Sequence, residues 1–245
     1  MKTPFDLTRK TILVTGASSG IGRQTCISIA NMGGKIIASG RNEERLKETI
    51  TMLPEDNHKM FKADLTKTSE IEKMVNDLDK INGVVHCAGI VKLLPMKFYT
   101  KEYLREVNEI NYEAPVLLTK TLHKKRKILN NSSIIFISSI MSQVGKIGQG
   151  LYAGTKGALV AITKVFALEL AAKNIRVNCI SPGLVKTPLF DDLTFEKEIE
   201  KNIKLHPLGL GTPEDVANAC VYLLSDASRW ITGTNLIIDG GYCAQ

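Results

Sequence analysis

The feature that most constrains this fold is a regular alternation of short apolar segments with longer helical patterns. The segments rich in β-branched residues include Lys10–Thr15, Lys35–Ser39 and Ser133–Ile137, and helical spacing fills Ile21–Met32 and Lys101–Leu129. Strands that are apolar on both faces need cover on both sides, and a parallel sheet with crossover helices provides it. Because such crossovers are right-handed, the helices lie on both faces. The sequence therefore predicts an α/β fold with a doubly wound parallel sheet of about seven strands.

The length of 245 residues suits a single domain, because α/β folds often reach this size as one unit. One stretch, Gly183–Thr212, departs from the alternation and holds several prolines and glycines around a short charged helix. A long insertion at the carboxyl edge of a parallel sheet more often covers a site than joins two domains. We therefore expect one domain over residues 1–245, with a substrate lid at about 183–212.

Composition and charge exclude several classes of protein. With 44% hydrophobic and 23% charged residues, the chain is globular rather than disordered or fibrous, and it has no uninterrupted apolar run of membrane length. The first ten residues lack an apolar core, so we expect no secretory signal. The five scattered cysteines show no metal-ligand spacing, which predicts reduced thiols, a cytoplasmic protein and no metal site. The net charge of +7 permits an anionic partner, but the cations are not interleaved with stacking aromatics, so nucleic acid is not expected.

The first strand continues directly into a glycine-rich turn, Thr15-Gly16-Ala17-Ser18-Ser19-Gly20-Ile21-Gly22, and then a helix. Glycines let the backbone approach a pyrophosphate closely, and the unpaired N–H groups at a helix start bind it. Three glycines also fit a plain turn, but the strand–turn–helix context favours phosphate binding. The predicted phosphate-binding residues are Gly16, Ser18, Ser19, Gly20, Ile21 and Gly22.

A second pair of residues carries acid–base chemistry. Tyr152 and Lys156 are four apart in a helical pattern and share one face. A phenol is a poor acid or base at neutral pH, and a nearby ammonium favours the phenolate, so we expect Lys156 to lower the pKa of Tyr152. The same spacing also fits an ordinary pair on a helix surface.

Taken with the glycine turn, these residues resemble the short-chain dehydrogenase/reductase family over essentially the whole chain. Ser139, Tyr152 and Lys156 match its Ser…Tyr-x-x-x-Lys signature, and Asn111 matches a fourth catalytic position. The resemblance implies a Rossmann-like fold and a nicotinamide cofactor. It also implies that Tyr152 donates a proton, Ser139 polarises the substrate, Lys156 holds the nicotinamide ribose and Asn111 holds a relay water.

Further matches imply cofactor contacts. Asp64 and Leu65 lie where the family contacts adenine, Ser181–Thr187 resembles its segment against the nicotinamide, and Thr232–Gly241 matches its C-terminal ending. Besides Tyr152 and Lys156, the cofactor residues implied by these matches are Asp64, Leu65, Ala88, Gly89, Pro182, Gly183, Val185 and Thr187.

The chain departs from the family pattern in two places. The motif His86-Cys87-Ala88-Gly89 stands where the family usually has Asn-Asn-Ala-Gly, and Gly154-Thr155 replaces Ala-Ser before Lys156. The replaced asparagine braces the sheet, so the change concerns local geometry more than chemistry. We expect His86 to be a packed or hydrogen-bonded structural residue, and Cys87 and Cys179 to be buried small hydrophobes.

The cofactor preference is partly readable at the end of the second strand. Relatives that prefer NAD place an acid there for the ribose 2′-hydroxyl, whereas this chain has Gly40 followed by Arg41. A guanidinium can pair with a 2′-phosphate that a carboxylate would repel. The sequence predicts NADP(H) over NAD(H), and the alternative is that Arg41 is only a solvated turn residue.

The basic run Lys124–Lys127 ends a helical pattern, where positive charge suits the helix dipole. With Lys173, it also resembles the surface by which acyl-carrier-protein reductases of this family dock their carrier. We therefore predict an NADPH-dependent carbonyl reductase of 3-oxoacyl thioesters on acyl carrier protein. The alternatives are a reductase or dehydrogenase of another ketone, sugar or secondary alcohol, and a non-catalytic nucleotide sensor, which the intact Ser139, Tyr152 and Lys156 disfavour. The resemblance also implies a homo-oligomer, either a tetramer or a dimer.

Overall fold

A computed structural model describes residues 3–54, 57–187 and 203–244. Its seven strands form one parallel sheet in the order β3-β2-β1-β4-β5-β6-β7. The predicted doubly wound sheet is confirmed. The strands are β1 (Thr11–Thr15), β2 (Lys35–Gly40), β3 (Lys59–Lys62), β4 (Ile81–His86), β5 (Ile128–Ile137), β6 (Arg176–Pro182) and β7 (Asn235–Ile238).

Helices cover both faces of the sheet because successive strand residues point to opposite sides. In β1, Leu13 packs with one buried cluster, whereas Ile12 and Val14 pack with another. The helices are α1 (Gly20–Asn31), α2 (Glu43–Thr51), α3 (Thr68–Asp77), α4 (Lys101–Asn108), α5 (Ala114–Lys124), α6 (Gly150–Leu170) and α7 (Pro213–Leu224). The Leu13 cluster includes residues of α3, α5 and α6, and the other includes residues of α1, α2 and α7.

The two helical patterns predicted over Lys101–Leu129 form two helices, and the second ends earlier than predicted. A π-helical turn, Glu109–Glu113, separates α4 from α5, and α5 ends at Lys124. Arg126 then has a φ of 55°, which no right-handed helix accommodates, and β5 begins at Ile128. Apolar spacing alone could not place this end, because Ile128 and Leu129 continue the helical pattern while belonging to the strand.

The sheet order reverses between β1 and β4, whose last residues Thr15 and His86 are paired. The loops that follow these two strands therefore leave the same edge in opposite directions and open a crevice. They also touch: a Cβ on Gly16 would lie 2.8 Å from the Ala88 nitrogen, and Gly16 has a φ of 63°. Only glycine accommodates both the positive φ and the lack of room for a Cβ. The glycine turn after β1 can therefore lie directly against the loop after β4.

Residues 188–202 of the predicted lid lie outside the described residues. The flanking segments meet, because Val185 and Gly211 form a parallel bridge and the Lys186 N–H donates to the Gly211 carbonyl at 2.9 Å.

One described segment, Gly150–Lys173, is long and apolar enough to cross a membrane, with a mean hydropathy of 1.3. A helix packed on the sheet of a soluble protein meets the same criteria. This finding is therefore weak grounds for a membrane span.

Candidate active site

Two adjoining cavities open at the carboxyl edge of the sheet. The first, here called the glycine-loop cavity, is lined by Gly16, Ser18, Ser19, Gly20, Ile21, Gly22, Gly40, Arg41, Asn42, Arg45, Ala63, Leu65, Cys87, Ala88, Gly89, Ile90, Ile110 and Thr187. It brings together all the predicted phosphate-binding residues with Arg41, Leu65, Ala88 and Gly89. The tertiary fold thus collects residues from the loops after β1, β2, β3 and β4.

The start of α1 in this cavity is suited to an anion. Ser19 precedes the helix without a side-chain capping bond, and the first turn contains no acidic residue. The first N–H groups of a helix have no partner within it, and they carry partial positive charge. A Cβ on Gly22 would lie 2.2 Å from the Gly16 carbonyl oxygen, so glycine lets α1 begin directly behind the loop. A pyrophosphate fits this arrangement.

Two arginines line the same cavity near the end of β2. Arg41 is exposed, and Arg45 lies in the first turn of α2, where its N–H donates to Asn42 Oδ1 at 3.0 Å. Gly40 between β2 and this turn is open enough for a side chain, because its Cβ would lie 3.5 Å from Ser18 Oγ. Sequence reasoning missed Arg45, although its position one turn after Arg41 was a usable signal.

Asp64 does not line the cavity, although its neighbour Leu65 does. Its carboxylate turns to Thr66 and accepts the Thr66 hydroxyl at 2.8 Å and the Thr66 N–H at 3.1 Å. Burial acts to raise the pKa of Asp64, but these hydrogen bonds together with the charges of Lys67 and Arg41 outweigh it, and the pKa is lowered. The predicted contact between Asp64 and adenine stays a prediction.

The second cavity, here called the tyrosine cavity, shares Ile21, Cys87, Gly89, Ile90 and Thr187 with the first. The predicted residues that line it are Ser139, Tyr152, Lys156, Pro182, Gly183, Val185 and Thr187. Lining residues that sequence reasoning missed include Met141, Lys146, Gln149, Leu184, His206 and Tyr242. No sequence pattern around His206 or Tyr242 indicates that they line this cavity, because both lie far from the Tyr152 motif in the sequence and only the fold brings them to it.

Tyr152 lies in the first turn of α6, facing Ser139 at the end of β5. Burial raises the pKa of Tyr152 to about 12, although a hydrogen bond with Ser139 works in the opposite direction. Ser139 Oγ also accepts the Met141 N–H at 3.2 Å, which orients the hydroxyl. The phenol is therefore protonated at neutral pH.

Lys156 is buried and donates from Nζ to the Ile137 carbonyl at 2.8 Å. Burial lowers its pKa to about 8. Its Nζ lies 5.4 Å from the centre of the Tyr152 ring. The prediction that Lys156 lowers the pKa of Tyr152 is wrong for this geometry, because desolvation of the phenol dominates. A Cβ on Gly89 would lie 3.5 Å from Lys156 Nζ, so the ammonium lies near the junction of the two cavities.

Asn111 is fully buried in the π-helical turn and lines neither cavity. Its Oδ1 accepts the Ile90 N–H at 2.8 Å, and its Nδ2 donates to the Ile90 carbonyl at 2.9 Å and to Thr155 Oγ1 at 3.3 Å. The amide thus fixes Ile90, which lies in both cavity walls. Its predicted role in holding a water stays a prediction.

His86 is buried and stacks on Phe136, with ring centres 4.9 Å apart. Because the Thr119 hydroxyl donates to the Pro115 carbonyl, it accepts from His86 Nε2 at 2.9 Å. The expectation of a packed, hydrogen-bonded histidine is confirmed. Cys179 is buried as predicted, whereas Cys87 is only half-buried and lines both cavities.

A doubly wound sheet, an anion-binding glycine turn at its switch point and an adjoining Ser–Tyr–Lys site together define a nicotinamide-dependent oxidoreductase acting on alcohol or carbonyl groups. A family model described as enoyl-(acyl carrier protein) reductase matches residues 16–243. The chain belongs to the short-chain dehydrogenase/reductase family.

Three similar proteins illustrate the range of this family. The 3-oxoacyl-[acyl-carrier-protein] reductase FabG of Rickettsia felis is 36% identical, with 97% of this chain and 98% of the relative covered. The human (3R)-3-hydroxyacyl-CoA dehydrogenase is 32% identical, with 94% of each chain covered. A solved structure from Agrobacterium tumefaciens, assigned as a 2-deoxy-D-gluconate 3-dehydrogenase with bound NADP, is 27% identical, has a TM-score of 0.89 and is covered over 100% of both chains.

Proposed function

We propose that this protein reduces the carbonyl of a 3-oxoacyl thioester, carried on acyl carrier protein, to the 3-hydroxyacyl form with NADPH. The observation that carries the proposal is the junction of the two cavities at Gly89 and Thr187, beside Ser139, Tyr152 and Lys156. The similarity to the Rickettsia felis reductase supports the choice of substrate. The protein acts as one domain in the cytoplasm, where its five unpaired cysteines remain reduced.

The site residues divide the tasks of this reaction. When bound, the nicotinamide cofactor supplies the hydride. Tyr152 donates its phenolic proton to the carbonyl oxygen, and the raised pKa ensures that the proton is present at neutral pH. Ser139 hydrogen bonds to the same oxygen and to Tyr152, and Lys156 holds the nicotinamide ribose. Asn111 holds a relay water as well as the Ile90 backbone.

The glycine-loop cavity supports NADP(H) over NAD(H). Arg41 and Arg45 both line it, and Gly40 places no carboxylate beside them. Glu43, the first residue of α2, is paired with Lys47 at 2.9 Å rather than with either arginine. A 2′-phosphate in this part of the cavity gains charge-assisted hydrogen bonds that a 2′-hydroxyl does not.

The carrier-docking surface consists of Lys124, Lys125, Arg126 and Lys173, all of which are exposed. Burial lowers the pKa of His123 and the nearby charge of Lys173 lowers it further, so the ends of α5 and α6 are neighbours. Both helices end at the amino edge of the sheet, opposite the cavities. A carrier docked there therefore delivers its acyl group to the cavity of a second copy of the chain. This part of the proposal requires a homo-oligomer.

The test combines a substrate panel with one variant. The fall in NADPH absorbance is followed with acetoacetyl-acyl carrier protein, acetoacetyl-coenzyme A, a small ketone and a keto sugar acid. We expect the carrier-linked thioester to have the highest kcat/KM. A higher value for the ketone or the sugar acid would contradict the proposed substrate.

Tyr152→Phe should lower kcat by about 10²–10⁴-fold, because it removes the proton donor while leaving the ring. NADPH binding, measured by fluorescence titration, should be retained, since the glycine loop is unchanged. Tyr103→Phe on the exposed face of α4 is the matched control and should behave as the wild type. Near-normal turnover of Tyr152→Phe would show that another group donates the proton.

A further inference from the structure

His206 lies where three separate segments of the chain meet. Its side chain is buried and lines the tyrosine cavity, while its backbone belongs to the segment that returns from the lid region. The ring centre lies 4.9 Å from that of Tyr242, near the C-terminus. The third segment, Pro182–Val185, follows β6 and lines the same cavity.

The ring makes a specific hydrogen bond to the backbone of that third segment. The Leu184 N–H donates to His206 Nε2 at 3.2 Å, so this nitrogen carries no proton. The Leu184 carbonyl in turn accepts the Gly211 N–H at 3.0 Å. Both backbone groups of Leu184 are therefore held by residues from the segment that returns to the sheet.

Gly183 completes this junction from the other side. Its N–H donates to the Ile238 carbonyl at 2.8 Å. A Cβ on Gly183 would lie 2.9 Å from Asp239 Cα and 3.1 Å from His206 Nε2. The histidine ring and the C-terminal segment thus occupy the space behind Gly183, so the position of the ring affects the wall of the cavity.

We propose that His206 is a positioning residue for the cofactor: by accepting the Leu184 N–H, it holds Pro182–Val185 where this segment contacts the nicotinamide half. This inference rests on the proposed function and on the family resemblance of Ser181–Thr187, which implies that the nicotinamide lies against that segment. An apolar residue at 206 would fill the same space but leave the Leu184 N–H without its acceptor, which is unfavourable in a partly buried wall. The adenosine half binds in the other cavity, which His206 does not line.

Two variants distinguish the effect of the hydrogen-bond acceptor at residue 206 from the effect of the packed ring. His206→Phe keeps the ring against Tyr242 but has no acceptor, whereas His206→Gln keeps an acceptor near the position of Nε2. Binding is measured by calorimetry for NADP⁺ and for 2′-phospho-ADP-ribose, which lacks only the nicotinamide. We expect His206→Phe to weaken NADP⁺ binding by about three- to tenfold, the value of one hydrogen bond, and to leave the fragment unaffected.

His206→Gln should bind both ligands like the wild type, as should His123→Phe, a control on a histidine outside both cavities. If His206→Phe does not fold, His206→Met is measured in its place with the same expectation. Equal weakening of both ligands, or no weakening of NADP⁺, would overturn the inference. If the wild-type protein itself bound neither ligand, the proposed cofactor would be wrong and this inference would fall with it.

Discussion

Burial shifts the pKa values of Tyr152 and Lys156 in opposite directions. It raises the pKa of Tyr152 to about 12 and lowers that of Lys156 to about 8, because in both cases the charged form is disfavoured. At pH 7 the tyrosine holds its proton and the lysine is mostly cationic. This state suits the proposed reduction, in which the phenol donates a proton and the ammonium holds the nicotinamide ribose.

The proposed cofactor preference also depends on single residues. Arg41→Ala should weaken NADPH binding by about one to two decades and change NADH binding little, because a charge-assisted pair contributes roughly 1.5–3 kcal/mol. Gly40→Asp should go further and favour NADH, because the carboxylate repels the phosphate and accepts from the 2′-hydroxyl. Its Cβ has space, with the nearest atoms at 3.5 Å.

Calorimetric titration of NADPH and NADH against the wild type and both variants measures this preference. Arg229→Ala, at an exposed site outside both cavities, is the matched control. If the wild-type protein binds NADH as tightly as NADPH, Arg41 is only a turn residue and the proposed preference is wrong.

At the scale of the elements, the packing of α5 onto β4 and β5 depends on a neutral histidine. His86 of β4 bonds to Thr119 of α5 and stacks on Phe136 of β5. Burial lowers its pKa from 6.5 to about 3, and Nδ1 has no hydrogen-bond partner among the described residues. The protonated ring is therefore excluded from the folded state over most of the acidic range.

The sign of the resulting pH dependence follows from this lowered pKa. Below pH 6.5 the unfolded chain binds a proton that the folded chain does not, so stability falls as the pH falls towards 3. Between pH 6.5 and 4.5 this residue should account for about 2–3 kcal/mol of lost unfolding free energy. Between these two pH values, the unfolding free energy of His86→Asn should fall by about 2–3 kcal/mol less than that of the wild type. Urea unfolding at both pH values measures the difference.

Thr119→Val is the control for this experiment, because it removes the hydrogen bond but keeps the buried imidazole. It should lower stability at both pH values and retain the wild-type difference between them. If His86→Asn lost as much unfolding free energy between the two pH values as the wild type does, other groups would cause the acid sensitivity.

At the scale of the whole molecule, charge and exposed apolar surface point to partners. The net charge of +7 includes an exposed cluster at the ends of α5 and α6. Lys125 and Lys127 both contact the end of α3, where Lys125 Nζ donates to Asn76 Oδ1 and Lys127 Nζ donates to the carbonyls of Asn76 and Leu78. Lys127 is half-buried, whereas Lys124, Lys125, Arg126 and Lys173 are exposed, so these four form the proposed docking surface.

Reversal of Lys125, Arg126 and Lys173 to glutamate should raise KM for the carrier-linked substrate and leave a small ketone unaffected. The contrast should fade with added salt, because surface charges are screened over about 10 Å at 0.1 M. Steady-state kinetics with both substrates at low and high salt measures the effect. If KM changed equally for both substrates, these residues would not bind the carrier and would belong to an ordinary solvated surface.

The outer face of α6 supports the proposed oligomer. Val165 and Leu168, one turn apart, are 50% and 80% exposed, so two neighbouring large apolar side chains face outward from α6. Leu168→Glu should lower the molar mass measured by light scattering, because a second copy would have to bury a charge. Lys164→Glu on the same helix is the charge control. A monomeric wild-type protein at micromolar concentration would contradict the proposed oligomer.

The sequence by itself determined the parallel sheet and the glycine turn, because each depends on periodicity or spacing within a short stretch of chain. The family resemblance of Ser139, Tyr152 and Lys156 predicted a common site, and the structure brings the three residues into one cavity. Only the tertiary structure decided the end of α5 at Lys124, where apolar spacing continued unchanged into β5. It also decided the raised pKa of Tyr152 and the placing of His206 against Leu184. Desolvation and contacts between distant segments arise only when the chain is packed, and no local pattern of residues encodes either of them.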